Sequence, residues 1–194
     1  IAEAFQKSNP TKRSIAFIAL TGEEQGLLGS TYYAENHIFD PKKTVANINI
    51  DALDSPGKMK DLTITGYGHS EMDEYAKAAA MEQNRYIIPD PEAEKGYFFR
   101  SDHFNFAKIG IPALYASGAY EGFEKNIEEI KAYNDYYRIH KYHQPSDEYH
   151  PETTELSGVQ LDLQLLFKVG LKLSNEDYFP KWYEGSEFKA AREQ

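Results

Sequence analysis

Two adjacent carboxylates, Glu23 and Glu24, lie in the polar, glycine-bearing stretch Thr21-Gly22-Glu23-Glu24-Gln25-Gly26. On a tight turn such neighbours point in different directions, so one can ligate a cation while the other reaches the water bound to it. Zinc lowers the pKa of that water to about 7, and a nearby carboxylate can take its proton during attack. The same pair, taken alone, is equally a solvated acidic turn. Asp51 closes the apolar stretch Ile48-Asn49-Ile50, where an Asp serves by default as a cap or turn former. Three carboxylates at one sheet edge repel one another unless a cation sits among them. A metal is therefore expected if the elements bearing them are neighbours.

The chain has no cysteine, so disulfides and thiolate metal sites are excluded and any metal is held by His, Asp and Glu. The histidines are His37, His69, His103, His140, His143 and His150. His143 stands in Tyr142-His143-Gln144-Pro145-Ser146-Asp147, where Pro145 stiffens the turn and Asp147 is placed to orient the second ring nitrogen. His140 and His150 have no such framing and read as surface residues; His37 reads as a partner for a helix C-terminus. In Arg100-Ser101-Asp102-His103, Ser101 is expected to cap a short helix. Asp102 and His103 form either a structural pair or one that contacts substrate or supports a ligand.

These residues are carried by a regular alternation of elements. Ile1–Ser8 reads as the end of a helix stopped at Asn9-Pro10, as in a chain whose natural beginning lies upstream. Ser14–Leu20 is a continuous apolar run of the kind a fully buried parallel strand shows. Leu27–Asn36 reads as helix, Thr44–Ile50 as strand, Leu62–Thr65 as strand and Ser70–Gln83 as helix. Tyr86–Ile88 is a short strand before an aromatic loop at Tyr97-Phe98-Phe99, Ser101–Phe106 a short helix, and Ile111–Tyr115 a strand. Glu124–Tyr137 is a polar surface segment. Thr154–Ser174, with Leu161, Leu165, Leu166 and Val169 at helical spacing, is the longest helix. The tail Asp177–Gln194 carries weak signals. The pattern predicts one α/β domain over residues 1–194, a mostly parallel central sheet with helices on both faces. In such sheets sites form beyond the carboxyl ends of strands, where Glu23, Glu24 and Asp51 stand.

The 194 residues, 41% hydrophobic and 27% charged, suffice for one domain with a sizeable core. With 31 acidic against 21 basic residues the formal net charge is −10, which argues against nucleic-acid or anionic-membrane partners. No apolar run has transmembrane length and no signal peptide opens the chain, so membrane insertion is not expected and the compartment is not readable.

Thr21-Gly22-Glu23-Glu24-Gln25-Gly26-Leu27-Leu28-Gly29-Ser30, then Asp51, then Ser101-Asp102-His103-Phe104 with Gly110-Ile111-Pro112-Ala113, then Tyr142-His143, occur in one order. That series resembles the di-zinc aminopeptidases of the zinc exopeptidase superfamily, related to glutamate carboxypeptidase, the transferrin receptor ectodomain and glutaminyl cyclase. The resemblance covers nearly the whole chain and implies the three-layer zinc-exopeptidase fold. It implies that Glu23 is the general base, Glu24 and His143 ligands of a first zinc, and Asp51 a ligand of a second. It further implies that Tyr142 hydrogen-bonds the tetrahedral oxyanion and that Tyr97 to Arg100, including Phe99, line the substrate pocket, with Asp102 and His103 beside it. The family's remaining ligands, a bridging Asp before a helix and a His in a His-x-Asp motif, have no match here and are expected upstream of Ile1. Two zinc ions in the intact enzyme are therefore expected to become partial or no occupancy in these residues, with little peptidase activity. Missing strands are expected to expose a sheet edge and favour a homodimer. The same resemblance implies a peptide substrate; the compartment stays unknown, a periplasmic or secreted parent being only what the family's members suggest.

Three activities compete. Hydrolysis of the amino-terminal peptide bond is the first; a carboxypeptidase for acidic residues would want several arginines at the pocket, and only Arg85, Arg100 and Arg138 are placed for it. A glutaminyl-cyclase-like one-zinc acyl transfer is the second, and a non-catalytic relative used for binding is the third. Retention of Glu23, Glu24, Asp51 and His143 together favours an enzyme.

Overall fold

A computed structural model of the chain describes residues 1–52 and 56–193. In chain order the elements are α1 (Ala2–Lys7), α2 (Leu28–Glu35), β1 (Asn47–Asn49), β2 (Asp61–Ile64), α3 (Met72–Glu82), β3 (Tyr86–Pro89), α4 (His103–Lys108), β4 (Ala113–Ser117), α5 (Ile127–His140), α6 (Ser157–Asn175) and α7 (Lys189–Glu193). Short 3-10 turns at Pro41–Lys43, Ala93–Lys95 and Tyr97–Arg100 connect them.

The strands form one sheet in the order β1-β4-β2-β3. β1 runs parallel to β4 and β2 parallel to β3, while β2 and β4 are antiparallel. This is a mixed, mostly parallel sheet, and β2, in its interior, is buried at every position. The helical stripe of α6 explains the core on one face. Leu165, Leu166, Val169 and Leu173 meet Met72, Tyr75, Ala76 and Ala80 of α3 over Leu62, Ile64 and Leu114 of the sheet. On the other face Tyr33 of α2 and Phe106 of α4 pack with Ile111. The result is the three-layer α/β arrangement. Burial of such side chains, at about 1.5–3 kcal/mol each, is the main term holding the layers.

A buried ionic network ties the end of β4 to α6. Arg85 Nη1 lies 2.7 Å from Asp162 Oδ1, with the guanidinium fully out of solvent, and Arg85 Nη2 donates to the Asp61 carbonyl at 2.8 Å. Asp162 Oδ2 accepts from Gly118 N–H. The Asp61 carboxylate accepts from the backbone N–H groups of Ala119, Tyr120 and Glu121 in turn. In contrast, α5 opens with an Asn126–Glu129 capping box yet buries only Ile130.

Several local expectations need correction. Ser14–Leu20 is extended but belongs to no strand; its backbone makes no ladder bond among the described residues, and Phe17 and Ile18 are 56% and 42% exposed. Its faces have neighbours, Phe17 lying 6.1 Å from Phe5 and Leu20 packing against the Tyr33–Phe106–Ile111 cluster, but its edges have no backbone partner among the described residues. The strand expected over Thr44–Ile50 narrows to Asn47–Asn49, the stretch that meets β4. The polar segment after Glu124 is helical from Ile127, and the weak tail is anchored by Trp182, whose Nε1 donates to the Gly110 carbonyl at 3.0 Å, and by buried Phe188. Gln194, the last residue of that tail, lies outside the described residues. No helix among the described residues is long and apolar enough to cross a membrane.

Candidate active site

The turn carrying Glu23 and Glu24 is fixed by its own backbone. Gly26 and Leu27 N–H groups donate to the Glu23 carbonyl, Leu28 N–H to Gly22 O, and Gly29 N–H to Thr21 O at 2.8 Å. That last approach leaves no room at position 29: a Cβ there would stand 2.6 Å from Thr21 N. Gly22 sits at φ +66, in the left-handed region where glycine is unstrained. The glycine spacing of the motif is thus the geometry that lifts two carboxylates off the start of α2.

His143 arrives from the far side of the chain. After α5 the backbone turns through Tyr142 N–H to Tyr137 O and Gln144 N–H to Lys141 O, with His143 itself at φ +60. This brings His143 Nε2 to 2.7 Å from Glu24 Oε1. The Tyr142 ring stacks on the imidazole at 3.8 Å. Asp147 does not orient His143, as its position suggested; its carboxylate instead accepts from the Tyr137 hydroxyl at 2.7 Å, because the turn directs it back towards α5.

Asp51, one residue beyond Ile50, is held from the side. Ser101 Oγ donates to Asp51 Oδ2 at 2.5 Å, and Asn49 Nδ2 donates to Ser101 Oγ at 2.8 Å. Ser101 is therefore not the cap of α4; Asp102 holds that position, without a side-chain cap bond. Sequence reasoning missed Asn49, Ser101 and Tyr115 as parts of the site. The available signal was polarity at both ends of Asn47-Ile48-Asn49 in an otherwise apolar run.

The acidic groups are close enough to act on one another's protonation. Burial raises the Glu23 carboxyl above its ordinary value, and the charges of Asp51, Glu24 and Asp102 push it further, against an opposing pull from His143. Burial also raises the Tyr142 hydroxyl, reinforced by Glu24, Asp51 and Glu23, so it stays protonated as a donor. The Tyr115 hydroxyl moves the same way, from burial first and then Asp51.

The remaining predicted residues fall in two groups. Tyr97, Phe99 and Arg100 stand on the surface turn before Ser101, with the Arg100 guanidinium 5.7 Å above the Tyr97 ring and Phe99 half exposed. Asp102 is partly buried, and its Oδ1 has no hydrogen-bond partner among the described residues. His103 is fully buried, its ring 4.7 Å from Phe98 and 5.3 Å from Tyr115. It packs behind the site rather than facing it. Arg85, locked to Asp162, cannot line a pocket for an acidic side chain.

A cation fits this donor set incompletely. Glu24 and His143 offer two donors at contact distance, where catalytic zinc typically takes three protein ligands. Among the described residues no three His, Asp or Glu are grouped closely enough to hold a metal ion. These residues do not by themselves make a zinc site. Set against known families, residues 1–162 match the profile of peptidase family M28.

Proposed function

The chain belongs to peptidase family M28, a family of zinc-dependent peptidases, and on that premise we propose that it carries the catalytic half of an aminopeptidase site. The observation that supports this most is the meeting of Glu24 with His143 at 2.7 Å, beside Glu23 and Asp51, from three separate stretches of chain. In this reading Glu23 takes a proton from the attacking water and passes it to the leaving amine, as a carboxylate with a raised pKa is suited to do. Tyr142, protonated and adjacent, donates to the oxyanion of the tetrahedral intermediate. Tyr97, Phe99 and Arg100 form the wall against which the first side chain of the peptide rests, with Asp102 at its inner end. The chemistry that zinc brings to the family is the acidification of a bound water; Glu24, His143 and Asp51 are the donors these residues offer it.

The test uses a polypeptide extended to include the missing donors, loaded with zinc and assayed on leucine 4-nitroanilide. Hydrolysis is expected, and Glu23→Gln is expected to lower kcat by about 10²–10⁴ with KM little changed. Cyclisation of amino-terminal glutamine without anilide hydrolysis would overturn the aminopeptidase assignment.

A further inference from the structure

The segment after α6 is tied down on both sides of one buried ring. Glu71 N–H donates to the Lys181 carbonyl, and Lys181 N–H donates back to the Glu71 carboxylate. Trp182 then bridges Ser70 in the antiparallel sense, and Tyr183 N–H donates to His69 O at 2.9 Å. The backbone reverses through Gly185, whose φ of +87 suits glycine. Beyond the turn, α7 lies directly on Gly110, where a Cβ would stand 2.6 Å from Arg192 N. Arg192 Nη1 donates to the Pro41 carbonyl at 2.5 Å.

Between these anchors Phe188 points inward. It is buried, and its ring centroid lies 5.5 Å from Phe98, 5.5 Å from His69, 5.2 Å from Trp182 and 6.2 Å from Phe104. Phe98 is the centre of this cluster. His69 stacks on it at 5.0 Å and His103 meets it edge-on at 4.7 Å. Gly66 lies so close that a Cβ there would stand 2.2 Å from the Phe98 ring. Aromatic pairs favour particular mutual orientations, so such a cluster fixes a ring's attitude as well as its place.

The attitude of Phe98 has consequences along the chain. Phe98 belongs to the single 3-10 turn Tyr97–Arg100 and is the one side chain of the four that this turn buries. So short a 3-10 turn has poor hydrogen-bond geometry and little hold of its own; the packing of Phe98 sets where it sits. Phe99 stands edge-on to Phe98 and Phe104, at 5.5 and 5.2 Å, and inherits that placement. Ser101, directly after the turn, carries the hydroxyl that bonds Asp51.

We infer that Phe188 is a positioning residue: by closing one side of Phe98 it fixes the turn Tyr97–Arg100, and through that turn it sets how strongly the site prefers a large first side chain over a small one. Phe188 acts through Phe98 and not by contact with substrate. The inference rests on the reading of Tyr97, Phe99 and Arg100 as the wall of the substrate pocket.

Two measurements test it. The first is amide hydrogen exchange of residues 1–194, which needs neither zinc nor substrate. Phe188→Ala is expected to speed exchange of the Phe99 and Phe104 amides, which donate to Gly96 O and Ser101 O, by about tenfold or more, with α3 and α6 unchanged. Phe188→Leu keeps apolar bulk at the position and is expected to give a smaller change at the same two amides, which preserves the test if the alanine variant does not fold. The second compares leucine and alanine 4-nitroanilides on the extended, zinc-loaded polypeptide. Phe188→Ala is expected to lower the leucine-to-alanine ratio of kcat/KM by about tenfold. Leu165→Ala, an equally buried truncation in the core under α6, is expected to leave that ratio alone. Unchanged exchange at Phe99 and Phe104 in both Phe188 variants would overturn the inference, as would equal acceleration in α3 and α6. So would an unchanged anilide ratio, or the same loss of ratio in Leu165→Ala. If the wild-type polypeptide hydrolysed neither anilide, the aminopeptidase reading would fail instead, and the exchange rates would still decide whether Phe188 holds the turn.

Discussion

His103 places an imidazole where nothing can bond to it: neither ring nitrogen has a partner among the described residues, and burial depresses its pKa to about 4. The ring is neutral in the folded chain and titrates near 6.5 when unfolded. The folded state thus holds fewer protons than the unfolded one between those values. Stability is complete above pH 6.5 and is lost as pH falls towards 4, on the order of 3 kcal/mol from this residue. His103→Leu is expected to flatten that acid limb, read as urea midpoints at pH 7, 5.5 and 4.5; an unchanged pH slope would refute it. At this scale the sequence was informative where a side chain's role follows from its immediate neighbours. Glu23 and Glu24 stand out because the glycines around them dictate a tight turn, and the Tyr142-His143 pair because Pro145 follows it. Ser101 could not, because a serine before a short helix is a cap by default, and only the folded chain brings Asp51, fifty residues away, against its hydroxyl.

Among the elements, those with strong periodicity were legible and those defined by partners were not. The stripe of α6 and the apolar faces of α3 and β2 are encoded locally. Ser14–Leu20 has the composition of a buried strand, but a strand exists only against another, and the described residues leave it unpaired. The Arg85–Asp162 pair was equally invisible, since seventy-odd residues separate two unremarkable charges. Asp162→Asn removes the partner from a guanidinium with no access to water and is expected to destabilise the chain by about 3–5 kcal/mol. Chemical denaturation checks it, and a loss below about 1 kcal/mol would show that Gln83 and the Asp61 carbonyl suffice for Arg85.

For the molecule as a whole, the formal charge of −10 attracts divalent cations without specifying where they bind. Two donors at the Glu24–His143 contact hold zinc weakly, so calorimetric titration of residues 1–194 is expected to show no tight stoichiometric binding, and Glu24→Ala is expected to change little. Tight uptake of two ions that disappears in Glu24→Ala would contradict this. Fold class could be read from sequence because it follows from the alternation of apolar strands and helices, whereas the contacts that gather Glu24, His143, Asp51 and Ser101 depend on residues far apart in the chain.

The two halves of the candidate site are not equally anchored. Asp51 follows β1 of the sheet and Glu23 and Glu24 sit in the hydrogen-bonded turn into α2, whereas Tyr142 and His143 follow α5, fourteen residues that bury a single side chain, Ile130. Little apolar burial means a small free energy of local opening. The arm that leads to the imidazole is thus the part of the described fold that opens at least cost, while the layered core beneath the carboxylates stays intact.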